Sequence, residues 1–244
     1  MKRQYADLHL TPNIRDFQQV SVIVNKAAQL GYHLIALLFP PNTTQEELKQ
    51  IQTACKEAKL DLATRIDLKP RTPNDLTYNL RQFRRKFEII AVLCESKNVA
   101  RQAAKDHRVD LLSFPSTDFR QRFFDMAEAE LASESQASLE INTRPLLTLE
   151  GPARARLLAS LRKEAAIAKG FKVPIIISSG TSNGLLMRKP QEQAVLAQLF
   201  DLDRECALDA VSRNPIGIVT RNRQKLSPKF IAPGIRLVKK GKDC

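Results

Sequence analysis

The sequence lacks the hallmarks of several protein classes. It has no tryptophan and only three tyrosines in 244 residues, which argues against a surface that stacks nucleic-acid bases on aromatic side chains. No apolar run approaches the roughly 20 residues that a membrane-spanning helix needs. Residues 1–10 are polar and charged, unlike a signal peptide. The sequence therefore predicts an intracellular, soluble protein.

Cysteine and histidine are also scarce. The four cysteines are far apart and form no CxxC pair, as expected for reduced intracellular thiols. Of the three histidines, only His9 lies at the carboxyl end of a predicted strand, whereas His33 and His107 lie at or before strand starts. A polynuclear zinc or manganese site therefore lacks nitrogen ligands. Nucleophilic catalysis is also disfavoured, because the chain offers neither a GxSxG elbow after the seventh strand nor a central lysine in any predicted strand.

Positive charge, by contrast, is abundant and concentrated. The net charge is +13. Residues 80–108 carry +5, from eight Lys/Arg against three Asp/Glu, and residues 213–244 carry +8, from nine against one. These two segments account for the whole excess, which a uniformly solvated surface would not produce. The distribution predicts a polyanionic partner.

The apolar pattern predicts eight strands that alternate with helices. The strands are expected at residues 5–10, 33–39, 61–67, 88–94, 109–114, 137–142, 173–178 and 216–219. The helices before the seventh strand are expected at residues 14–30, 44–59, 73–86, 97–106, 117–133 and 150–169. This α/β pattern matches a single-domain (β/α)8 TIM-like barrel, which typically has about 250 residues, although an open doubly wound sheet gives the same periodicity.

The barrel is expected to occupy residues 1–222. A basic C-terminal extension at residues 223–244 is expected to pack on the barrel or trail from it. Within this extension, residues 234–238 either form a short strand or pack across the barrel.

The carboxyl ends of the strands should form one mouth, where barrels place their ligands. The polar residues expected there are Asp7, His9, Arg65, Asp67, Glu140, Ser178 and Ser179. Their carboxylates could hold one weakly bound Mg²⁺, but the preferred interpretation is that Asp7 and His9 hydrogen-bond to each other and plug the mouth. The loop at residues 178–184 either cradles a phosphate with its backbone N–H groups or is a turn that needs small residues.

Basic side chains are the better candidates for function. The first group is expected on two adjacent helices of one outer wall, and the second around residue 188 and after residue 220. The candidate RNA-binding residues are Arg81, Arg84, Arg85, Arg101, Lys105, Arg188, Lys189, Arg221, Arg223 and Lys225. Guanidinium forks suit phosphate oxygens, and structured RNA is read largely through its backbone and shape. The alternative is that these residues form only a solvated surface, with Arg188 bracing the loop at residues 178–184.

Three stretches of the sequence carry a family resemblance. They are YADLH at residues 5–9, SLEIN at residues 138–142, and ISSGT…LMRKP…DAVSRNPIGIV…PGIRLV within residues 177–238. With them the chain resembles, over nearly its whole length, the 30-kDa protein subunit family of ribonuclease P (archaeal ribonuclease P protein component 3). That family's fold is similar to the polymerase-and-histidinol-phosphatase barrel, whose enzymes begin with a His-x-His pair. Here Thr11 stands in the second position.

The resemblance implies a function in tRNA processing. Ribonuclease P is a ribonucleoprotein endonuclease, a hydrolase that removes the 5′ leader of precursor tRNA. In that family the RNA performs the cleavage with Mg²⁺ at the RNA site, so the isolated chain is expected to be non-catalytic and to bind no cofactor tightly. The protein is expected to bind and stabilise the RNA together with a partner subunit.

The implied partners are the ribonuclease P RNA, precursor tRNA, protein component 2 and the other subunits, and not a membrane. The expected location is the cytoplasm, as in archaea, or the nucleus and nucleolus for a eukaryotic chain. The alternative function is that of a stand-alone metal-dependent phosphoesterase on the same barrel.

Overall fold

Seven parallel strands form a nearly closed barrel in the computed structural model, which describes residues 3–115, 122–232 and 235–236. The strands pair with one another in sequence order. They are β1 Ala6–Leu10, β2 Leu34–Leu38, β3 Asp61–Leu68, β4 Ile89–Leu93, β5 Leu111–Ser113, β6 Ser138–Asn142 and β7 Ile175–Ser178. The predicted TIM-like barrel is therefore confirmed, and the open sheet is not.

Helices follow the strands and surround them. They are α1 Phe17–Leu30, α2 Gln45–Glu57, α3 Pro73–Phe83, α4 Lys97–Lys105, α5 Met126–Ser135, α6 Arg144–Thr148, α7 Gly151–Gly170, α8 Pro190–Ala197, α9 Arg204–Ala210 and α10 Arg213–Leu226. Short 3₁₀ turns at Gly184–Leu186 and Gln198–Phe200 flank α8. Among the described residues, no helix is long and apolar enough to cross a membrane.

Strands β2, β4 and β7 bury both of their faces, which explains their continuous apolar runs. Alanines such as Ala36, Ala63 and Ala91 face the barrel interior. Their neighbours Ile35 and Ile90 belong to the larger apolar layer between the sheet and the helices. The small interior side chains leave the lumen space for polar groups nearer the carboxyl ends of the strands.

Residues 216–219 lie in helix α10, so the predicted eighth strand is wrong. The buried positions of this helix are Pro215, Ile218, Val219 and Asn222, which repeat at helical spacing. Ile218 and Val219 pack among the interior residues of the strands, so α10 covers the amino-terminal end of the barrel. A four-residue apolar run does not distinguish a strand from the buried stripe of a helix, and this ambiguity explains the error.

The connection into α10 also fills the gap that an eighth strand would occupy. The Ala6 N–H donates to the Val211 carbonyl at 3.0 Å. The Asn214 side-chain amide donates to the Ile175 carbonyl at 3.0 Å. Edge groups of β1 and β7 are therefore satisfied by the polypeptide before α10 and by a side chain in its first turn.

Helix α5 begins at Met126 rather than at residue 117, and residues 116–121 lie outside the described part of the chain. Near the carboxyl terminus, β8 Phe230–Ala232 pairs antiparallel with β9 Ile235–Arg236. The short strand expected within residues 234–238 is thus present at residues 235–236.

Helix α10 continues across residue 222, and the division into a barrel and an extension stays a prediction.

Replacing Ile218 by alanine should destabilise the protein by about 2–5 kcal/mol, because it opens a cavity where α10 enters the barrel. Urea unfolding followed by circular dichroism measures this free energy. The control is Thr220→Ala on the exposed side of the same helix, for which a change within about 0.5 kcal/mol is expected. Equal destabilisation by the two substitutions would contradict the placement of α10.

Candidate functional site

The guanidinium of Arg65 occupies the centre of the barrel mouth. Arg65 is fully buried and projects from β3 into the lumen. Its Nη2 donates to Glu140 Oε2 on β6 at 2.7 Å, and its Nη1 also donates to Glu140 Oε1. Its Nε donates to Asp67 at 2.6 Å, and Nη1 donates to the Leu8 carbonyl of β1 at 2.7 Å. One side chain thus links three strands across the lumen.

These contacts keep the acidic groups of the mouth ionised. Burial raises the pKa of Glu140, but the Arg65 guanidinium and then His9 outweigh it and bring the value to about 2. Burial also raises the pKa of Asp67, but Arg65 and His9 again outweigh it and hold the value below its ordinary range. Ser178 adds a hydrogen bond from its hydroxyl to Glu140 Oε1 at 3.0 Å.

His9 is the second cation of the mouth. The pairing of β1 with β2 shifts register between Asp7 and Leu10, a bulge of the kind that redirects a side chain. The His9 ring consequently faces two acceptors: Nδ1 lies 2.9 Å from Asn142 Oδ1, and Nε2 lies 3.3 Å from Asp67 Oδ2. A doubly protonated ring can donate to both of these acceptors.

The charges around His9 favour the doubly protonated ring. Burial and the Arg65 guanidinium lower the pKa of His9. The carboxylates of Glu140 and Asp67 outweigh both effects and raise this pKa to about 9. The imidazolium, Arg65 and the two carboxylates form a balanced buried group of two cations and two anions.

Asp7 and His9 are hydrogen-bonded to each other, as predicted, but through the His9 backbone and not through its side chain. The Asp7 Oδ1 accepts from the backbone N–H groups of His9 and Ser179, both at 3.1 Å. Asp7 therefore lies at the seam between β1 and β7, where it satisfies backbone donors. Burial raises the pKa of Asp7 although the bonds from Ser179 and His9 lower it, and its Oδ2 has no partner within the described ranges.

The loop after β7 completes the seam. The Gly180 N–H donates to the His9 carbonyl at 2.9 Å, and the Thr11 N–H donates to the Thr181 carbonyl at 3.0 Å. Gly180 has a φ of +63°, and an added Cβ would lie 2.8 Å from the Asn142 side chain. The N–H groups at residues 179 and 180 are thus used in barrel closure, which favours the small-residue turn over the phosphate cradle.

A metal centre does not fit these residues. Every carboxylate oxygen of Glu140 and Asp67 already faces Arg65, Ser178 or His9. Within the described ranges, no group of three or more His, Cys, Asp or Glu side chains is arranged to hold a metal ion. The guanidinium and imidazolium supply the positive charge that metal ions supply in a hydrolase.

A cavity of about 1050 Å³ opens above this charged floor. Its charged lining residues are Asp67, His9, Arg15, Lys69 and Arg144. Asp67, the acidic member, is already paired with Arg65 and His9. Lys69 and Arg144 are exposed and have no ion-pair partner among the residues described. The rim of the mouth therefore has an uncompensated positive charge.

Three of the ten predicted RNA-binding residues hold the barrel base together. Arg84 donates to Asp110 and to the Phe87 and Glu88 carbonyls. Arg221 donates to Asp110 at 3.2 Å, and Arg223 contacts Glu88 and, at 2.6 Å, Asp61. These arginines have a structural role, and RNA contact at them stays a prediction.

The remaining seven candidates fall into two groups: residues whose side chains have hydrogen-bond partners, and residues that are exposed. Two have local partners: Arg101 donates to Asp125 at 2.7 Å, and Arg188 donates to the carbonyls of Leu185 and Met187. Arg188 therefore braces the 3₁₀ turn that follows the loop. The exposed candidates are Arg81, Arg85, Lys105, Lys189 and Lys225.

The structure also assembles a basic groove, which we define as the cavity of about 690 Å³ lined by Arg84, Arg85, His107, Arg108, Asn222, Lys225 and residues 226–228 and 230. It lies at the amino-terminal end of the barrel, opposite the mouth. Among the described residues that line it, none is acidic. Partial desolvation, and then the nearby Arg221, lowers the pKa of Lys225, against a smaller opposing effect of Asp110.

Sequence reasoning singled out neither the rim cations nor His107 and Arg108 as binding residues. A signal for the rim was present, because Lys69 directly follows β3 and Arg144 begins the helix after β6. Basic residues in several loops after strands converge on one face of a barrel. For the groove, the signal was the positive charge of residues 80–108 and 213–244, but the meeting of these segments at one surface depends on α10 folding under the base.

Comparisons with known proteins agree on one family. The sequence model described as RNase P subunit p30 matches residues 4–227. Ribonuclease P protein component 3 of Methanosarcina barkeri is 30% identical over 216 residues, 88% of this chain and 87% of that protein. The component 3 protein of Methanothermobacter thermautotrophicus is 24% identical and covers 96% of both chains.

Solved structures give the same picture of the fold. A chain from a cryo-EM structure of archaeal ribonuclease P with mature tRNA matches with a TM-score of 0.81 at 20% identity, covering 97% of this chain and 99% of that one. A dihydroorotase from Campylobacter jejuni matches with a TM-score of 0.52 at 16% identity, covering 89% and 83%. The second likeness concerns the barrel alone.

Arg65→Met should destabilise the protein by about 3–5 kcal/mol, because it leaves Glu140 and Asp67 buried without their cation. Arg65→Lys should be nearly as destabilising as Arg65→Met, since an ammonium lacks the fork that binds both Glu140 oxygens. Denaturant unfolding gives the values. Adding Glu140→Gln to Arg65→Met should recover part of the loss, and no recovery in the double variant would contradict the ion-pair account.

Stability should fall as the pH rises through the pKa of His9. The folded value of about 9 lies above the ordinary 6.5, so the contribution is complete below about pH 6.5 and is lost toward pH 9, a change on the order of 1–3 kcal/mol. Between pH 6 and pH 10, the free energy of unfolding should therefore decline less steeply for His9→Gln than for the wild-type protein. The control is His107→Gln, at the opposite face, and parallel curves for all three proteins would exclude a cationic His9.

Proposed function

The chain belongs to the RNase P subunit p30 family, and we propose that it binds and stabilises the catalytic RNA of that tRNA-processing particle together with a partner protein subunit. The family match across residues 4–227 carries this conclusion. In the particle, the 5′ leader of precursor tRNA is removed by endonucleolytic hydrolysis. The partners in this proposal are the ribonuclease P RNA, precursor tRNA, protein component 2 and the other subunits.

The basic groove is the surface that best fits the RNA backbone. Its lining supplies four Lys/Arg side chains and His107 without an acidic residue. Exposed Arg85 and Lys225 point positive charge at solvent, while Arg84 is fixed by Asp110 beneath them. Backbone phosphates of a folded RNA are the anions that such a rigid, shaped surface recognises.

The barrel mouth supports a non-catalytic role for the isolated chain. A metal-dependent phosphoesterase needs carboxylates free to coordinate, whereas here Arg65 and His9 occupy them. We therefore assign cleavage and its Mg²⁺ to the RNA, and we do not favour the phosphoesterase. The archaeal relatives favour a cytoplasmic location in this proposal.

The double variant Arg85→Ala/Lys225→Ala should weaken assembly with the ribonuclease P RNA and reduce its salt dependence. Removing one phosphate-binding side chain should lower the slope of log affinity against log salt by roughly 0.7–0.9. RNA binding is measured across a salt series with the partner subunit present, alongside thermal unfolding, which should change little because exposed charges contribute about 0–1 kcal/mol each.

The matched control is Lys49→Ala/Lys56→Ala, which removes two exposed charges from α2. An unchanged slope in the groove variant would show that the RNA binds elsewhere. Precursor tRNA cleavage is scored in the same samples, and the chain without RNA should release no leader. Turnover by the chain alone that disappears in His9→Ala would restore the phosphoesterase interpretation.

A further inference from the structure

We propose that the barrel mouth is a binding site for a small organic phosphate, of the size and chemistry of a nucleoside monophosphate. The observations are a deep cavity at the carboxyl ends of the strands, cations at its rim, and no acidic group in its described lining that is free to oppose an anion. This site lies at the opposite end of the barrel from the basic groove, so the proposal does not rest on the proposed function.

The positive charge at the rim of the cavity favours the binding of an anionic ligand. Arg15 and Lys69 come from two different loops, Arg144 comes from the first turn of α6, and all three line one opening. Arg15 has a distant acidic neighbour, Glu47, at 3.9 Å. The floor adds the His9 imidazolium, whereas Asp67 is neutralised by Arg65 and His9. An entering phosphate would meet guanidinium and ammonium donors without displacing an existing short ion pair.

The walls of the cavity select a ligand with a flat or apolar body. Half-buried Pro40 and Pro115 line the cavity, together with Phe39 and Phe114, whose rings are almost fully buried. Phe114 is held edge-on against Phe124, with ring centroids 5.9 Å apart. Inorganic phosphate would leave this surface uncovered, whereas a ribose and base would cover it. The volume of about 1050 Å³ is at the upper end of the roughly 300–1,000 Å³ of small-molecule sites.

The closed floor limits which part of a nucleic acid could enter. Arg65, Glu140 and His9 seal the lumen beneath the cavity, so a continuous strand has no exit. A phosphomonoester is the chemistry that fits, carried either by a free mononucleotide or by the 5′ end of an RNA. Asn13, Asn79 and Asn142 on the lining provide amides that can hydrogen-bond to a base or a ribose.

Isothermal titration of the full chain with AMP, adenosine and inorganic phosphate tests the site. AMP should bind with a Kd below about 1 mM, more tightly than either fragment, and rising salt should weaken its binding. Arg144→Ala and Lys69→Ala should each weaken AMP binding about tenfold, the expected effect of removing a charge-assisted hydrogen bond. Both residues are exposed, so the variants should fold.

The control is Arg204→Ala, which removes an exposed arginine from the start of α9 and should leave AMP binding unchanged. A 5′-phosphorylated trinucleotide is titrated in parallel. Binding equal to that of AMP identifies a free mononucleotide as the ligand, and binding at least tenfold tighter with the same weakening in Arg144→Ala identifies an RNA end. Absence of AMP and trinucleotide binding, or equal affinity for AMP and adenosine, would overturn the proposal.

Discussion

A guanidinium held inside the barrel by carboxylates on two strands is the interaction on which the mouth depends. Burying an arginine is unfavourable unless each donor meets an acceptor, and Arg65 meets Glu140, Asp67 and the Leu8 carbonyl. Those acceptors belong to β1, β3 and β6, so the register of three strands must be correct together. The orientation of His9 follows, since its partners are the same carboxylates.

The two ends of the barrel have different roles. At the carboxyl end, paired charges occupy the place where metals and substrates lie in barrel enzymes, and the remaining positive charge is at the rim. At the amino end, where barrels ordinarily carry only structural residues, α10 and the strand starts create the basic groove. In the proposed function, the RNA binds at this end of the fold, which barrel enzymes leave without a catalytic role.

Much of this arrangement could be predicted from the sequence, and the failures have physical reasons. Strands β1 to β7 follow from short apolar or alternating stretches, and the mouth residues follow because strand ends converge. Residues 216–219 were misassigned because their pattern fits both a strand and a buried helical stripe. Arg221 and Arg223 looked like free cations because their partners, Asp110 and Asp61, are more than 100 residues away in the sequence. The involvement of the His9 backbone, and not its ring, in the contact with Asp7 could not be predicted, because the β-bulge between Asp7 and Leu10 has no residue signature.

The position of α10 has a consequence for biosynthesis. Its residues contact Asp110, Glu88 and Asp61, at sequence separations of 112, 134 and 162 residues. On the ribosome, the strands emerge long before the helix that closes the base, so the nascent chain exposes an open apolar lumen until residues 213–226 leave the exit tunnel. Such late, non-local closure slows folding and leaves the intermediate prone to aggregation. The basic groove under α10 therefore forms only at the last step of this order.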